Sequence, residues 1–125
     1  MDKKEYFYID SVGNICCATF NGFIVDEYRM DMGNLFKTEQ EAKHEIERRK
    51  VITKLKKYSS EFDYGKRNYF MFYSNKYSKI MIGCEEYIQR PDIYFESYEE
   101  AEEVIKKVGR ERIIKYYLGV EEKND

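Results

Sequence analysis

The sequence contains no tryptophan, one proline and one histidine among its 125 residues. No run of apolar residues approaches the roughly 20 that span a bilayer, so we expect no transmembrane helix. Residues 1–5 carry charges of both signs before an aromatic run, whereas a secretory signal needs a basic end and a longer uncharged apolar stretch. We therefore expect a cytoplasmic protein.

Cysteine is also scarce, with only Cys16, Cys17 and Cys84. An odd number that includes two adjacent residues makes a poor disulfide framework. Neighbours on a strand point to opposite faces, so Cys16 and Cys17 are not expected to hold one ion together. The sequence has no CxxC pair, and its single histidine lies far from the cysteines. We expect no metal and no cofactor, and we interpret the cysteines as small half-buried side chains in a reducing compartment.

Catalytic motifs are missing as well, since the chain has no GxSxG, P-loop, GxGxxG or HExxH pattern. His44 is the natural general base near neutral pH. It stands between Lys43 and Glu45 in a helical pattern and is expected to face solvent. We therefore predict no catalytic residue and expect that the protein is not an enzyme.

The charges nearly balance, with 22 Lys and Arg against 24 Asp and Glu and a net charge of -2. A dedicated binder of duplex DNA usually carries a clear basic excess, so this class is not favoured. Apolar residues make up 42% of the chain, which is enough to build a core. The 13 tyrosines and 8 phenylalanines favour β-strands.

The first half of the chain begins with patterns typical of short strands. Strands are expected over residues 6–10 and 15–20, on either side of a turn at Gly13. The dipeptide Asn21-Gly22 is typical of a two-residue hairpin, so a third strand is expected near residues 23–28.

Two capping boxes predict where helices begin. Thr38 with Glu41 predicts a helix from about 39 to 58, and Ser97 with Glu100 predicts another that ends near Val108. Gly109 suits the position after a helix. The other predicted elements of the second half are strands at 69–73, 77–84 and 93–96 and a helical stretch at 110–118.

The two halves share an order of features that suggests an internal duplication. An offset of 59 aligns Phe36 with Phe95 and the first capping box with the second, and an offset of 63 aligns the strands near Tyr6 and Tyr69. We therefore predict an α+β fold of two ββ(β)α units, with antiparallel sheets and two or three helices. The predicted divisions are a first unit at 1–58, a linker at 59–68, a second unit at 69–120 and a flexible tail at 121–125, all within one compact domain.

Two charged segments are candidate binding surfaces. Residues 92–103 carry six acids and no base, and residues 48–57 carry six bases and no acid. Each also has a structural explanation, because acids near a helix N-terminus and bases near a C-terminus stabilise a helix by about 0.3–1 kcal/mol per charge. The candidate protein-binding residues are Asp92, Tyr94, Glu96, Tyr98, Glu99, Glu100, Glu102 and Glu103. The candidate nucleic-acid-binding residues are Arg48, Arg49, Lys50, Lys54, Lys56 and Lys57.

Several phrases of the sequence resemble small proteins encoded by phages and prophages of low-GC Gram-positive bacteria. The phrases are GNxFKTxxEA from Gly33 to Ala42 and IYFES at 93–97, together with residues 6–10 and 114–120. The resemblance carries no catalytic residues. It implies a small accessory protein in an infected bacterial cytoplasm, a setting that includes inhibitors of host defence such as anti-CRISPRs.

Three functional hypotheses follow. The first is a non-enzymatic phage protein that binds and inhibits or modulates a host bacterial protein, such as a CRISPR–Cas component, through the acidic segment. The second is a nucleic-acid-binding accessory protein that uses the basic segment, with exposed tyrosines stacking on single strands. The third is a homodimeric structural or regulatory protein, in which residues 48–57 of one chain meet residues 92–103 of another.

Overall fold

The computed structural model describes residues 4–122, and within this range it contains four α-helices and two antiparallel sheets. The predicted α+β class is therefore confirmed. Residues 1–3 lie outside the described residues, and they include part of the segment on which the expectation of no secretory signal rests. Residues 123–125 of the predicted tail lie outside them as well.

Contacts along the chain divide it into two units, of which unit 1 ends at Glu47 and unit 2 begins at Arg48. The boundary falls inside the long helix that runs from Glu39 to Lys57. It thus precedes the linker that the sequence predicts at residues 59–68. The two units are described separately below.

Unit 1 is built around a hairpin of β1 (Glu5–Ile9) and β2 (Ile15–Thr19), with Phe7 opposite Cys17. Phe7 also pairs with Phe36, each N–H donating to the other's carbonyl at 2.8 Å. The Asn34 side chain continues this pairing, because its amide accepts from the Ile9 N–H and donates to the Ile9 carbonyl, both at 2.8 Å. Segment 34–36 therefore extends the two-stranded sheet along the free side of β1.

The third strand predicted near residues 23–28 is wrong, because this segment forms helix α1 (Ile24–Asp31). Gly22 adopts the positive φ of 74° that the hairpin signal predicted, yet the chain then enters a helix. The deciding group is the Asp26 carboxylate, which accepts from the N–H groups of Asn21 at 3.0 Å and Phe23 at 3.3 Å. The Phe23 N–H is one of the donors at a helix start that lack a partner within the helix, and the Asn21 N–H belongs to the turn before it.

Helix α2 (Glu39–Lys57) begins where its capping box predicts. The Thr38 Oγ1 accepts from the Glu41 N–H at 3.2 Å, and the Glu41 carboxylate accepts from the Lys37 N–H at 3.1 Å. Both halves of the reciprocal cap are present, although the acid reaches one residue beyond the expected Thr38.

Unit 2 contains a three-stranded sheet of order β4–β3–β5. Strand β3 (Asn68–Ser74) pairs antiparallel with β4 (Lys79–Glu85) and with β5 (Tyr94–Phe95). Phe70 lies opposite Gly83, and a Cβ atom built on this glycine would stand 2.7 Å from the phenyl ring. The ring therefore occupies the space that any side chain at position 83 would need.

The segment predicted as a linker, residues 59–68, is hydrogen-bonded within unit 2. The Ser60 N–H donates to the Tyr94 carbonyl at 2.8 Å. The buried Asn68 amide accepts from the Asp63 N–H at 2.8 Å and donates to the Glu85 carbonyl at 2.9 Å. Asn68 thus satisfies both polar ends of its side chain and joins the loop to the sheet.

Helix α3 (Tyr98–Val108) begins at Ser97, whose Oγ accepts from the Glu100 N–H at 3.0 Å, and it ends at Gly109. Helix α4 (Arg110–Arg112) follows and runs into a π-helical stretch, Ile113–Tyr117. The predicted helical stretch at 110–118 is confirmed in this form. In the part of the predicted tail that is described, Glu122 accepts from Tyr73 at 3.3 Å and pairs with Arg110.

The core of unit 2 is apolar and draws on its helices and its sheet. Phe95, Leu55 and Met71 are its largest fully buried side chains. The buried members of the cluster are Val51, Leu55, Met71, Phe95, Ala101, Val104, Val108 and Ile113.

The two units share one arrangement, in which the first strand of a hairpin also pairs with a segment that leads into a capped helix. They differ in α1, which stands between the hairpin and that segment in unit 1. The internal duplication stays a prediction.

Candidate functional site

The most prominent surface feature of unit 1 is a cluster of exposed apolar side chains on and beside α1. Of the fourteen large hydrophobic side chains that are exposed among residues 4–122, six fall between positions 23 and 32. We call this set the α1 surface, and its members are Phe23, Ile24, Val25, Tyr28, Met30 and Met32. Scattered exposed hydrophobics are ordinary, but a concentration of this kind is typical of a contact surface.

The geometry of α1 places two of these side chains, Ile24 and Tyr28, on the side of the helix opposite Asp26. Ile24 and Tyr28 are one turn apart and lie about 40° from each other around the helix axis, whereas Asp26 lies about 200° from Ile24. Ile24 is 63% exposed and Tyr28 is 61% exposed, while Asp26 is 3% exposed. The usual arrangement of an amphipathic helix is thus reversed, with a carboxylate inside and apolar groups outside.

A polar network holds the inner side of α1. The Tyr6 hydroxyl donates to Asp26 Oδ1 at 2.5 Å, and the Arg29 guanidinium donates to the Tyr6 oxygen at 2.9 Å. The Arg29 guanidinium also lies over the Tyr8 ring, 3.5 Å from its centroid. Three residues of β1 and α1 therefore form a chain of hydrogen bonds, and the cation–π contact adds a second attachment to the strand.

The network shifts the proton affinities of its members. Hydrogen bonds from Tyr6 and from the Asn21 N–H lower the pKa of Asp26 below its usual value. Burial, and then the hydrogen bond to Asp26, raises the pKa of Tyr6, and the bond to Tyr6 raises the pKa of Arg29. Asp26 is therefore ionised and the other two are protonated across the neutral range, which is the state that the hydrogen bonds require.

This arrangement suits recognition by contact. The α1 surface offers aromatic, methionine and branched aliphatic groups, and exposed Glu27 and Asp31 lie on the same side of the helix as Ile24. Tyr, Phe and Met are enriched at protein interfaces, and a polar rim around an apolar centre is their common anatomy. A partner that fits would present an apolar cleft with basic groups at its edge.

The structure places most of the predicted acidic residues on one exposed surface of α3, but Tyr94 is a correction. Tyr94 is 4% exposed, and its hydroxyl accepts from the Arg90 N–H at 2.7 Å, so it belongs to the interior. Asp92 is half-buried and pairs with the Arg90 guanidinium at 3.2 Å. The exposed members are Glu96, Tyr98, Glu99, Glu100, Glu102 and Glu103.

The predicted basic residues are all exposed, and part of the set surrounds one hollow in unit 2. Arg49, Lys50 and Lys54 line it together with Thr53, and Arg112 of α4 completes it. Lys56 lies instead at a second hollow, beside Ser59 and Phe62. Sequence reasoning missed Arg112, because its approach depends on the break between α3 and α4.

The α1 surface was also missed. Residues 23–28 read as a strand because Asn21-Gly22 is a strong hairpin signal and Phe, Ile and Val favour sheets. The signal for a helix was Asp26, three residues after Phe23, where a carboxylate can accept from the first N–H groups of a helix.

Cysteines and metal ligands give no further site within residues 4–122. Cys16, Cys17 and Cys84 are free thiols, of which Cys17 and Cys84 are exposed and thus less buried than expected. In this range no group of three or more His, Cys, Asp or Glu side chains is arranged to hold a metal ion. None of the helices in the described part of the chain is long and apolar enough to cross a membrane.

Comparison with known proteins adds no relative, since no family model, no curated protein and no solved structure matches the chain.

Proposed function

We propose that the protein acts by binding another protein through the α1 surface. The observation that carries this proposal is the reversed polarity of α1, whose carboxylate is buried while Ile24 and Tyr28 are more than half exposed. The exposed apolar side chains of α1 bury little area within the chain, and covering them with a partner would remove that apolar area from water.

The chemistry of the partner follows from the rim of this surface. Unit 1 carries 5 basic and 10 acidic residues, a formal charge of -5, and exposed Glu27 and Asp31 adjoin Ile24 and Tyr28. Complementary charges would speed association and favour a partner with a basic edge. In the setting that the phage resemblance implies, this partner is a host bacterial protein, such as a component of CRISPR–Cas defence, and its binding would inhibit or modulate that protein.

The test is a pull-down from bacterial lysate with nuclease present, followed by titration of each retained protein in purified form. The variant Ile24→Ser/Tyr28→Ser/Met30→Ser removes three of the exposed side chains of the α1 surface. The matched control is Tyr77→Ser/Tyr87→Ser/Ile88→Ser, which removes equally exposed side chains from unit 2. We expect the α1 variant to weaken binding by at least about tenfold, since a few buried anchors dominate interfaces, and the control to bind as the unaltered protein does.

A third variant, Glu99→Lys/Glu100→Lys/Glu102→Lys/Glu103→Lys, addresses the acidic surface of α3. If this variant loses the partner and the α1 variant keeps it, the proposal for α1 is refuted and the acidic surface takes its place. Light scattering at high concentration addresses the homodimer, because a dimer that the α1 variant dissociates would make a second copy the occupant of the α1 surface.

A further inference from the structure

Four basic residues of unit 2 border one open hollow, whose wall is formed mainly by their aliphatic parts. Arg49, Lys50, Thr53 and Lys54 occupy neighbouring positions on α2, because steps of one, four and five residues stay on one side of a helix. Together with Arg112 they line a hollow of about 350 Å³. The lining contains no carboxylate, and it includes a hydroxyl that can donate to an oxyanion.

Gly109 explains how Arg112 reaches this place. Its φ of 107° ends α3 and lets α4 start in a new direction, a conformation that side chains other than glycine rarely adopt. The Arg112 Cδ lies 3.9 Å from the point where a Cβ on Gly109 would stand, so the aliphatic part of the side chain packs on the break. Arg112 thereby lines the same hollow as residues of α2.

An aromatic ring lies farther along the same helix. Tyr58, which directly follows α2, is 37% exposed. The Lys57 and Lys107 ammonium groups lie 5.6 Å and 4.9 Å from the centroid of its ring. Nine residues separate Tyr58 from Arg49, which is about 14 Å along a helix axis and about 180° around it, whereas Tyr58 follows Lys54 by one turn and lies about 40° from it. Unit 2 thus presents a hollow ringed by cations and a half-exposed ring flanked by two more.

We propose that this surface binds single-stranded nucleic acid, with a backbone phosphate held by the basic residues at the edge of the hollow and a base stacked on Tyr58. A groove that combines cations for the backbone with aromatic rings for the bases is the common solution for single strands. Unit 2 carries 17 basic and 14 acidic residues, so its formal charge of +3 is opposite to that of its ligand. Arg49, Lys50 and Arg112 also interact with other groups of the chain, so they contribute positive charge beside the hollow while they keep these partners.

The experiment is fluorescence anisotropy of a labelled 20-nucleotide oligo-dT with the full chain, at salt concentrations from 20 to 200 mM. Lys54→Gln/Arg112→Gln removes two charges of the hollow, and Tyr58→Leu removes the ring while keeping an apolar side chain. For the charge variant we expect weaker binding and a log–log salt slope that is less negative by about 1.4, since each phosphate contact on a single strand contributes about 0.7. For Tyr58→Leu we expect roughly tenfold weaker binding with an unchanged slope.

The matched control is the turn between β3 and β4, where Lys76 and Lys79 lie 5.3 Å and 6.0 Å from the Tyr77 ring. This turn likewise places two lysines beside one tyrosine, but none of the three lines the hollow bordered by Arg49, Lys54 and Arg112. Lys76→Gln/Lys79→Gln should leave both affinity and slope unchanged. Equal losses in this control and in Lys54→Gln/Arg112→Gln would reduce the binding to nonspecific charge and overturn the proposal.

Two other results would also overturn it. One is the absence of saturable binding at 20 mM salt by a protein whose thermal unfolding is normal. The other is equal or tighter binding of a 20-base-pair duplex, because a paired base cannot stack on Tyr58. The pull-down with the α1 variants is independent of both results, so failure at either surface leaves the other proposal standing.

Discussion

The interiors of the two units are stabilised by different kinds of interaction. Among the described residues, the buried side chains of unit 1 are Tyr6, Ile9, Asp26 and Ala42, and its most connected buried group is a carboxylate. Unit 2 instead encloses an apolar cluster around Phe95 and Leu55. Unit 1 is therefore held at its centre by directed hydrogen bonds, and unit 2 by the removal of apolar area from water.

The surfaces of the two units also differ. Unit 1 exposes the α1 surface and carries a charge of -5, whereas unit 2 exposes charged helix faces and carries a charge of +3. A polar network fixes geometry without consuming apolar side chains, so these can remain outside. Asp26, Tyr6 and Arg29 hold α1 in place, so the apolar side chains within residues 23–32 are not needed for this and remain available for recognition.

The largest expected effect tests the apolar centre of unit 2. Phe95→Ala removes a ring that is fully buried among side chains from α2, β3 and α3. We expect a loss of about 3–5 kcal/mol in the free energy of unfolding, from lost burial and from the cavity. Urea denaturation followed by far-UV circular dichroism measures it. The conservative Phe95→Leu should cost less than half as much, and equal costs would show that the volume of this core is not what stabilises it.

A smaller effect tests the polar centre of unit 1. Asp26→Asn keeps the shape of the side chain but replaces one of its acceptor oxygens by a donor, so the N–H groups of Asn21 and Phe23 or the Tyr6 hydroxyl lose a partner. We expect a cost of about 1–3 kcal/mol at neutral pH, since unsatisfied buried donors are expensive. Amide hydrogen exchange in residues 21–31 should rise in the variant. Unchanged exchange there would mean that this carboxylate does not hold α1.

The same variant gives a signed pH dependence. Because the folded pKa of Asp26 is lowered, its contribution is complete above the ordinary aspartate pKa of about 3.9 and is lost as pH falls through the folded value. The difference in unfolding free energy between the unaltered protein and Asp26→Asn should therefore be constant from pH 5 to 7 and shrink below about pH 4. A difference that persists at pH 2 would contradict the ionised network.

The smallest effect concerns what the units have in common. Thr38 and Ser97 each accept from the N–H three residues later, so Thr38→Ala and Ser97→Ala should each cost about 1 kcal/mol. Thr38→Ser and Ser97→Thr keep the acceptor and serve as controls. Similar costs in thermal denaturation would indicate equivalent caps, whereas a silent Thr38→Ala would show that α2 gains nothing from its reciprocal box.

The phrases that carried the phage resemblance turn out to be structural, and this explains how much of the fold was predictable. In GNxFKTxxEA, Asn34 and Phe36 pair with β1 and Thr38 caps α2. In IYFES, Tyr94 and Phe95 form β5 and Ser97 caps α3. Capping is local, so the residue types of the two caps are legible in the sequence, whereas Asn34 and Phe36 pair with residues of β1 that are 25 and 29 positions away.

The candidate sites were far less predictable, because each depends on contacts between distant residues. Asp26 turns residues 24–31 into a helix partly through Tyr6, which is 20 positions away. Tyr94 was proposed as an interface anchor, but its ring packs against Phe62 and Phe70, which lie far from it in the sequence. Arg112 lines the same hollow as Lys54 only because α3 ends at Gly109 and α4 starts in a new direction. The sequence pattern indicates which residue types are present, and the tertiary fold determines which of them come into contact.

The closeness of Phe70 to Gly83 has a consequence for how the β3–β4 hairpin finds its alignment. A slip of one residue along β4 would put Ile82 or Cys84 opposite Phe70, where the ring leaves no room for a side chain. The same slip would exchange the two faces of the strand. Glycine at position 83 therefore favours the observed register of the hairpin over registers that are shifted by one residue.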